Sequence, residues 1–491
     1  MSLTKRTTVA DVAPGPRRRK LPFAPVFARA KTWVIASFGG GHDHAVVKRD
    51  AGIAFVIRVA SAAAVYVSQV VLARWMGGDQ FGIYVYAWTW VLLFGDLVHL
   101  GLPLAAQRLI PEYSAAGRYD DLRGFLAGTR RLAFLSAAGL GLLGAALVKT
   151  VGPHLDPHAI MPLYLACMAL PFFTLSIMLD GIARSYNWIA LGLAPHFLWR
   201  PIAVLALMAL AYWVGLSADA TGVMAAVVVA AIAMAAVQLA IVDRRLASTV
   251  APGPRRYDVK AWLATSTPII LVAGFYTLLT YTDVLVLQQF RSPEDVALYY
   301  AAARTLLLVT FVSFSVSAVI AQRFSAHHLA GDRDGLAALV AAAVRWTFWP
   351  SLVATVAILA VGKPLLWLFG PAFTAGYPLM FILAVGLVAR ASIGPAERLL
   401  NMLGEQRVCA LVYAAAFAVN LIGCIVLVPR IGVTGAAVAL SVTMVFESAA
   451  LFLLAWYRLG LYIFVFGKSR GGAGARRPIV LGKGLGRSHV T

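Results

Sequence analysis

Gly222–Val242 contains no charged residue, and neither does Leu411–Val428. Runs of this kind decide the solvent before they decide anything else. A helix needs roughly 20 apolar residues to cross the hydrocarbon core of a bilayer. In that solvent each backbone N–H and C=O has to pair internally, which only helices and closed barrels achieve. Val204–Tyr212 is a further such run. A soluble all-helical chain would instead show short amphipathic helices. Composition excludes it: 61% of the 491 residues are hydrophobic and 13% charged, against about 45–50% and about 25% in soluble domains. The expected fold is an all-α polytopic membrane protein.

About twelve transmembrane helices are predicted, over residues 52–74, 82–106, 131–151, 159–180, 188–213, 220–243, 262–288, 298–322, 340–362, 372–396, 407–428 and 432–457. Basic residues test that count, because Lys and Arg accumulate in cytoplasmic loops. With the N-terminus inside, those loops carry Arg108, Arg118, Arg123, Arg130 and Arg131, then Arg184, then Arg244, Arg245, Arg255, Arg256 and Lys260, then Arg323, Arg333, Arg398 and Arg407. The outer loops carry Arg74, Lys149, Arg291, Lys363 and Arg430. An error of one helix would invert this alternation partway along the chain. The net charge of +21 is therefore an orientation signal and a contact for anionic lipid. No soluble domain exists to use it on nucleic acid. A multi-pass protein of the bacterial inner membrane with both termini cytoplasmic is expected.

Cys167, Cys409 and Cys424 sit in apolar stretches without metal-ligand or disulfide spacing. No metal and no cofactor is expected. Residues 1–50 are basic and lack a clean signal peptide, since Pro25, Arg29 and Lys31 interrupt the apolar stretch that follows Arg17–Lys20. They read as a cytoplasmic tail, disordered or lying on the membrane surface.

The chain also repeats itself. Phe81–Ala87 parallels Val296–Ala302, Ala106-Gln107-Arg108 parallels Ala321-Gln322-Arg323, Gly117–Leu122 parallels Gly331–Leu336, and Thr221-Gly222 parallels Thr434-Gly435. The matches keep nearly one register. An even number of helices per repeat gives two parallel six-helix lobes related by an axis along the membrane normal. The expected organisation is a first lobe over 51–243, a cytoplasmic linker over 244–261 holding Pro252-Gly253-Pro254, a second lobe over 262–457, and a basic tail over 458–491. Two such bundles enclose a central cavity, and rocking one against the other gives alternating access.

Ionisable residues inside spans are costly and normally face a cavity or a partner. Arg200 follows His196 by one turn, on one face of span five. Tyr84, Trp88, Leu92, Asp96 and His99 share a face of span two. These residues, with Arg58 in span one, are the candidate lining of the cavity. Asp96 and Arg200 admit a second reading as an interhelical ion pair, and Arg58 a second as a side chain snorkelling to the interface. Asp283 and Arg304, toward the outer end of spans seven and eight, either form a gate between lobes or reach water. Glu447 in span twelve is an unpaired candidate for coupling to a proton or cation. Arg345, Arg390 and Glu397 lie near cytoplasmic helix ends and read as interfacial. An arginine fork grips phosphate bidentately and stays charged, so arginine in a cavity favours an anionic substrate over a cationic drug.

Several short motifs carry a family resemblance. The first half holds Leu72-Ala73-Arg74, Gly77–Tyr84 and Gly101-Leu102-Pro103; the second holds Tyr281-Thr282-Asp283, Leu366–Phe373, Gly394-Pro395, Gly404–Arg407 and Gly432–Ala437. Over roughly residues 50–457 the chain resembles the polysaccharide transporters, the Wzx-type flippases of the multidrug/oligosaccharidyl-lipid/polysaccharide exporter superfamily. The resemblance implies movement of a polyprenyl-pyrophosphate-linked oligosaccharide from the cytoplasmic to the outer leaflet for exopolysaccharide or lipopolysaccharide O-antigen synthesis. It implies an ion gradient as the driving force, a cationic cavity that Arg58 and Arg200 would supply, and a polysaccharide polymerase and chain-length regulator as partners. An ion-coupled multidrug or small-solute antiporter of the same fold is the alternative. A membrane enzyme is not expected, because the short outer loops hold no catalytic constellation and no P-loop, nucleotide fingerprint or HExxH motif is present. A major-facilitator transporter is disfavoured by the lack of its basic loop motif in residues 104–131.

Overall fold

The structure is a computed structural model that describes residues 42–466 apart from 216, 330 and 331. Most of both basic tails therefore lies outside the described residues. So do the side chains of residues 51–56 and of Arg58, and several between 318 and 331. The chain divides into a short unit, Met1–Gly52, and a large one, Ile53–Thr491, which carries all that follows.

The described residues are almost wholly helical. The helices are α1 (His42–Val98), α2 (Leu102–Ala115), α3 (Tyr119–Val151), α4 (Pro157–Ser185), α5 (Ile189–Ala194), α6 (Arg200–Trp213), α7 (Ala220–Thr249), α8 (Val259–Phe290), α9 (Pro293–Leu307), α10 (Thr310–Leu329), α11 (Arg333–Ala360), α12 (Gly362–Phe369), α13 (Tyr377–Ser392), α14 (Ala396–Met402), α15 (Gln406–Ile431) and α16 (Val433–Leu454). Among the described residues 11 helical stretches are long and apolar enough to cross a membrane. The first runs from Val59 to Ala115 and breaks at Gly77, where φ is 76°. It therefore supplies two crossings, in agreement with the count from sequence.

Short polar side chains start many of these helices. A helix leaves its first N–H groups without intrahelical partners, and a side-chain oxygen at the cap position satisfies one of them. Asp219 accepts from the Gly222 amide at 2.7 Å, Asp258 from Ala261 at 3.0 Å, and Asp332 from Gly335 at 2.8 Å. Proline follows the cap directly in α4 and α9, where its missing N–H costs nothing.

In the first half α4 packs against α3 and α7; in the second α15 packs against α8 and α16, and α16 against α13. Helix α8 bridges the halves. At its start Trp262, 1% exposed, packs edge-on against Phe125 of α3 at 5.4 Å; further along it lies against α15. The linker is clasped to the first half as well. Arg123 donates to the carbonyls of Ala251 and Pro254 at 2.9 and 2.8 Å.

At the opposite ends of the helices the halves are drawn together again. Phe81 lies among Tyr300, Phe369 and Phe373, with ring centroids 6.1–6.4 Å away. Arg74 donates to the carbonyls of Leu368 and Trp367 at 2.8 and 2.9 Å and stacks over the Trp367 ring at 4.5 Å. Those carbonyls belong to the C-terminal turn of α12, where the Trp367 oxygen also accepts from the Gly370 amide at 3.0 Å. Gly82 lies so close to the Pro293 carbonyl that a Cβ there would meet its oxygen at 1.8 Å.

Candidate functional site

Arg200 opens α6 directly after a π-helical turn, Pro195–Trp199. Pro195 and Pro201 have no N–H to give, so a regular α ladder through this segment is already weakened. A single wide turn of this sort recurs at functional sites. The Arg200 guanidinium lies 4.8 Å from the ring centre of Trp88 and 4.8 Å from that of Phe173. The two rings meet edge to face at 5.6 Å, and His196 lies 5.0 Å from Phe173. The predicted His196–Arg200 face thus exists, and it closes on an aromatic residue that the sequence did not single out.

Phe173 reaches this position because residue 95 is glycine. A Cβ on Gly95 would stand 2.4 Å from the Phe173 ring. The contact brings the α4 aromatic against α1 beside Asp96. Arg200 is within electrostatic reach of Tyr84, Asp96 and, from the second half, Tyr281. Its Nη1 is buried and has no hydrogen-bond partner. Among the described residues no ion pair within 4 Å joins Arg200 to Asp96, so the ion-pair reading finds no support. On the side toward α7 the guanidinium borders a cavity of about 10 Å³, lined also by Ser176, Ala231 and Met234, room for a single water at most.

Tyr84 and Trp88 are buried on the same face of α1. Tyr84 lies within electrostatic reach of both Arg200 and Arg304. His99 is occupied elsewhere, since its Nδ1 accepts from the Gly101 amide at 3.1 Å and holds the turn into α2. Arg304 lies 4.8 Å above the Tyr300 ring and within reach of Tyr281 and Asp283. Asp283 is 4% exposed. It accepts from the Tyr299 hydroxyl and from the Val284 amide, all within the second half. The Arg58 side chain falls outside the described residues.

Glu447 is not unpaired, as the sequence suggested. It is 1% exposed, and Arg390 Nη2 stands 3.5 Å from its Oε1. Arg390 in turn lies 5.5 Å from the Tyr276 ring centre and within reach of Tyr413 and Glu397. Arg390, read from sequence as interfacial, also has a partner within the second half. Helices α13, α15, α16 and α8 converge on that level of the second half, a juxtaposition that no single helix reveals.

A family model described as "Polysaccharide biosynthesis protein" matches residues 47–326. The chain belongs to this family. No curated protein matches the chain by sequence. Among solved structures it resembles an inward-facing multidrug resistance MATE family transporter of the MOP superfamily, with TM-score 0.68 and 12% identity over 83% of this chain and 98% of that one. It also resembles the lipid II flippase MurJ in an inward closed conformation, with TM-score 0.65 and 15% identity over 81% and 87%. A MOP superfamily transporter from Pyrococcus furiosus, whose binding pocket is described as of reverse polarity, aligns with TM-score 0.62 and 12% identity over 85% and 96%. Identities this low establish the fold alone, one shared with MOP superfamily structures.

Proposed function

We propose that this member of the polysaccharide biosynthesis family is a flippase. It moves a polyprenyl-pyrophosphate-linked oligosaccharide from the cytoplasmic to the outer leaflet of the bacterial inner membrane by alternating access between two lobes. One observation carries the reading. Arg200, deep in a membrane span and between aromatic rings, has a buried N–H without a hydrogen-bond partner. A buried donor without a partner costs about 1–3 kcal/mol, more when charged, and a diphosphate oxygen would remove that cost. Trp88 and Phe173, both buried, hold the guanidinium in place. Asp96 and, from the second half, Tyr281 are within electrostatic reach of the guanidinium. Asp283, Arg304 and Glu447 belong to gating or ion coupling, and polymer formation outside the membrane falls to a separate polymerase and chain-length regulator.

Deletion of the gene with complementation tests this. Arg200→Ala should lower surface polysaccharide about ten- to a hundredfold, the equivalent of one charge-assisted hydrogen bond of about 1.5–3 kcal/mol, while membrane levels of the protein stay normal. Arg200→Lys should restore only part, because a point charge lacks the fork. Full polymer from Arg200→Ala removes Arg200 from the mechanism. The alternative, export of a hydrophobic cation, draws on the same aromatic faces and on Asp96. It predicts drug sensitivity in the deletion strain with unaltered polysaccharide.

A further inference from the structure

The second half contains a buried polar cluster that substrate binding at Arg200 does not use. Glu447 on α16 is its centre. Its Oε1 faces Arg390 at 3.5 Å, a distance too long for a good hydrogen bond, and its Oε2 is buried without a partner. The Tyr413 hydroxyl is buried and unpartnered too. Arg390, Glu397 and Tyr413 are the charged and titratable groups around it, contributed by α13, α14 and α15, and Tyr276 of α8 lies beside them.

The pair is asymmetric in access. The Arg390 side chain is 31% exposed and that of Glu447 2%. Among the described residues no other ion pair to Glu447 is found, and Arg390 is the more exposed member of the pair. An anion arriving from the exposed side meets the guanidinium first and competes with Glu447 for it. If the anion wins, Glu447 is left as a lone carboxylate in apolar surroundings. Such a group takes up a proton rather than stay charged. A metal cation suits the site less well, because a full positive charge already stands 3.5 Å from Oε1 and metal ions such as Na⁺ or Ca²⁺ want several oxygen ligands at once.

We propose that Arg390 and Glu447 form an exchange site in which a pyrophosphate group displaces Glu447 from Arg390 and Glu447 accepts one proton from water, so that anion and proton bind together. When the pyrophosphate leaves, Arg390 returns to the carboxylate and the proton goes back to water. Helix α8 links this site to Arg200, since Tyr276 lies beside Arg390 and Tyr281 beside Arg200. The inference rests on the flippase reading and gives its substrate a second anion contact, in the second half.

The test uses the full-length protein in detergent, with geranylgeranyl pyrophosphate as probe and geranylgeraniol as control. Binding is measured across pH, and proton uptake is followed with an indicator dye in weak buffer. Wild type should take up about one proton per bound pyrophosphate, and its affinity should rise up to about tenfold for each unit of falling pH. Glu447→Gln leaves Arg390 permanently free. It should bind at alkaline pH as tightly as wild type binds at acidic pH, and show only the uptake that comes from the probe's own phosphates. Arg390→Ala should abolish the Glu447-dependent uptake as well. Pyrophosphate binding with equal uptake in wild type and Glu447→Gln overturns the exchange site and leaves the flippase reading standing. Affinity that follows sodium at constant pH overturns it likewise. Failure of wild type to bind the pyrophosphate overturns both. Should Glu447→Gln not fold, Glu447→Asp and the wild-type sodium and pH series still decide the matter.

Discussion

The site at Arg200 depends on a residue with no side chain. Gly95 lets the Phe173 ring come within 2.4 Å of where a Cβ would stand, and Phe173 is one of the two rings that hold the guanidinium. Gly95→Ala forces the ring outward. Overpacking of this kind costs about 1–3 kcal/mol, and here part of the cost falls on the position of Arg200. The expected outcome is a protein present in the membrane at near-normal levels, with polysaccharide export reduced as in Arg200→Lys. Phe173→Leu in the Gly95→Ala background should recover part of the export, since a smaller side chain relieves the clash. No recovery would mean that Gly95 acts on something other than this contact. Only half of this arrangement was legible in the sequence. Arg200, His196, Asp96 and Trp88 stood out because polar and aromatic groups inside apolar runs are rare. Phe173 did not, because a phenylalanine in an apolar span is ordinary and its proximity to residue 95 is a property of helix packing.

Among the elements, α11 shows how a helix boundary responds to pH. Its cap residue, Asp332, lies outside the spans. The Gly335 amide and the His327 ring hold its carboxyl below the usual carboxylate range. A carboxyl depressed in the folded state stabilises above its unfolded value, and that contribution is lost as pH falls through the lowered one. Amide exchange at the start of α11 should therefore quicken in acid, and Asp332→Ala should show the quickened rate at neutral pH too. An unchanged profile in the variant would assign the protection to tertiary packing instead. The position of α12 is not legible in the sequence: its C-terminal carbonyls accept from Arg74 of the other half of the chain. In the sequence Arg74 counted as one of the sparse charges in an outer loop and as part of the Leu72-Ala73-Arg74 motif. In the fold it is a clamp between halves. Arg74→Ala should loosen this end and raise the accessibility of Phe81 to labelling through an introduced cysteine, whereas Arg74→Lys should loosen it less.

For the whole molecule, the long apolar runs and the loop charges were sufficient to give the crossings and their number, because length and polarity are local properties. The relative placement of the halves is a non-local property, and so are the Arg390–Glu447 pair and the approach of Tyr281 to Arg200. In the conformation described, Phe81, Gly82 and Arg74 close the end of the molecule where Pro293 and α12 lie. Under the proposed alternating access, this end would open. A Cβ on Gly78 would stand 3.8 Å from the Glu294 Cβ, which is about the mean Cβ separation in a disulfide. Gly78→Cys with Glu294→Cys, in a background where Cys167, Cys409 and Cys424 are replaced by alanine, should therefore cross-link readily under oxidation. If the two halves separate here during each cycle, the oxidised protein should export no polysaccharide and the reduced protein should export it normally, each single-cysteine variant being indifferent to oxidant. Polymer export that continues at an undiminished rate in fully cross-linked protein would show that this end stays shut, and that the substrate leaves by a route between helices of one half.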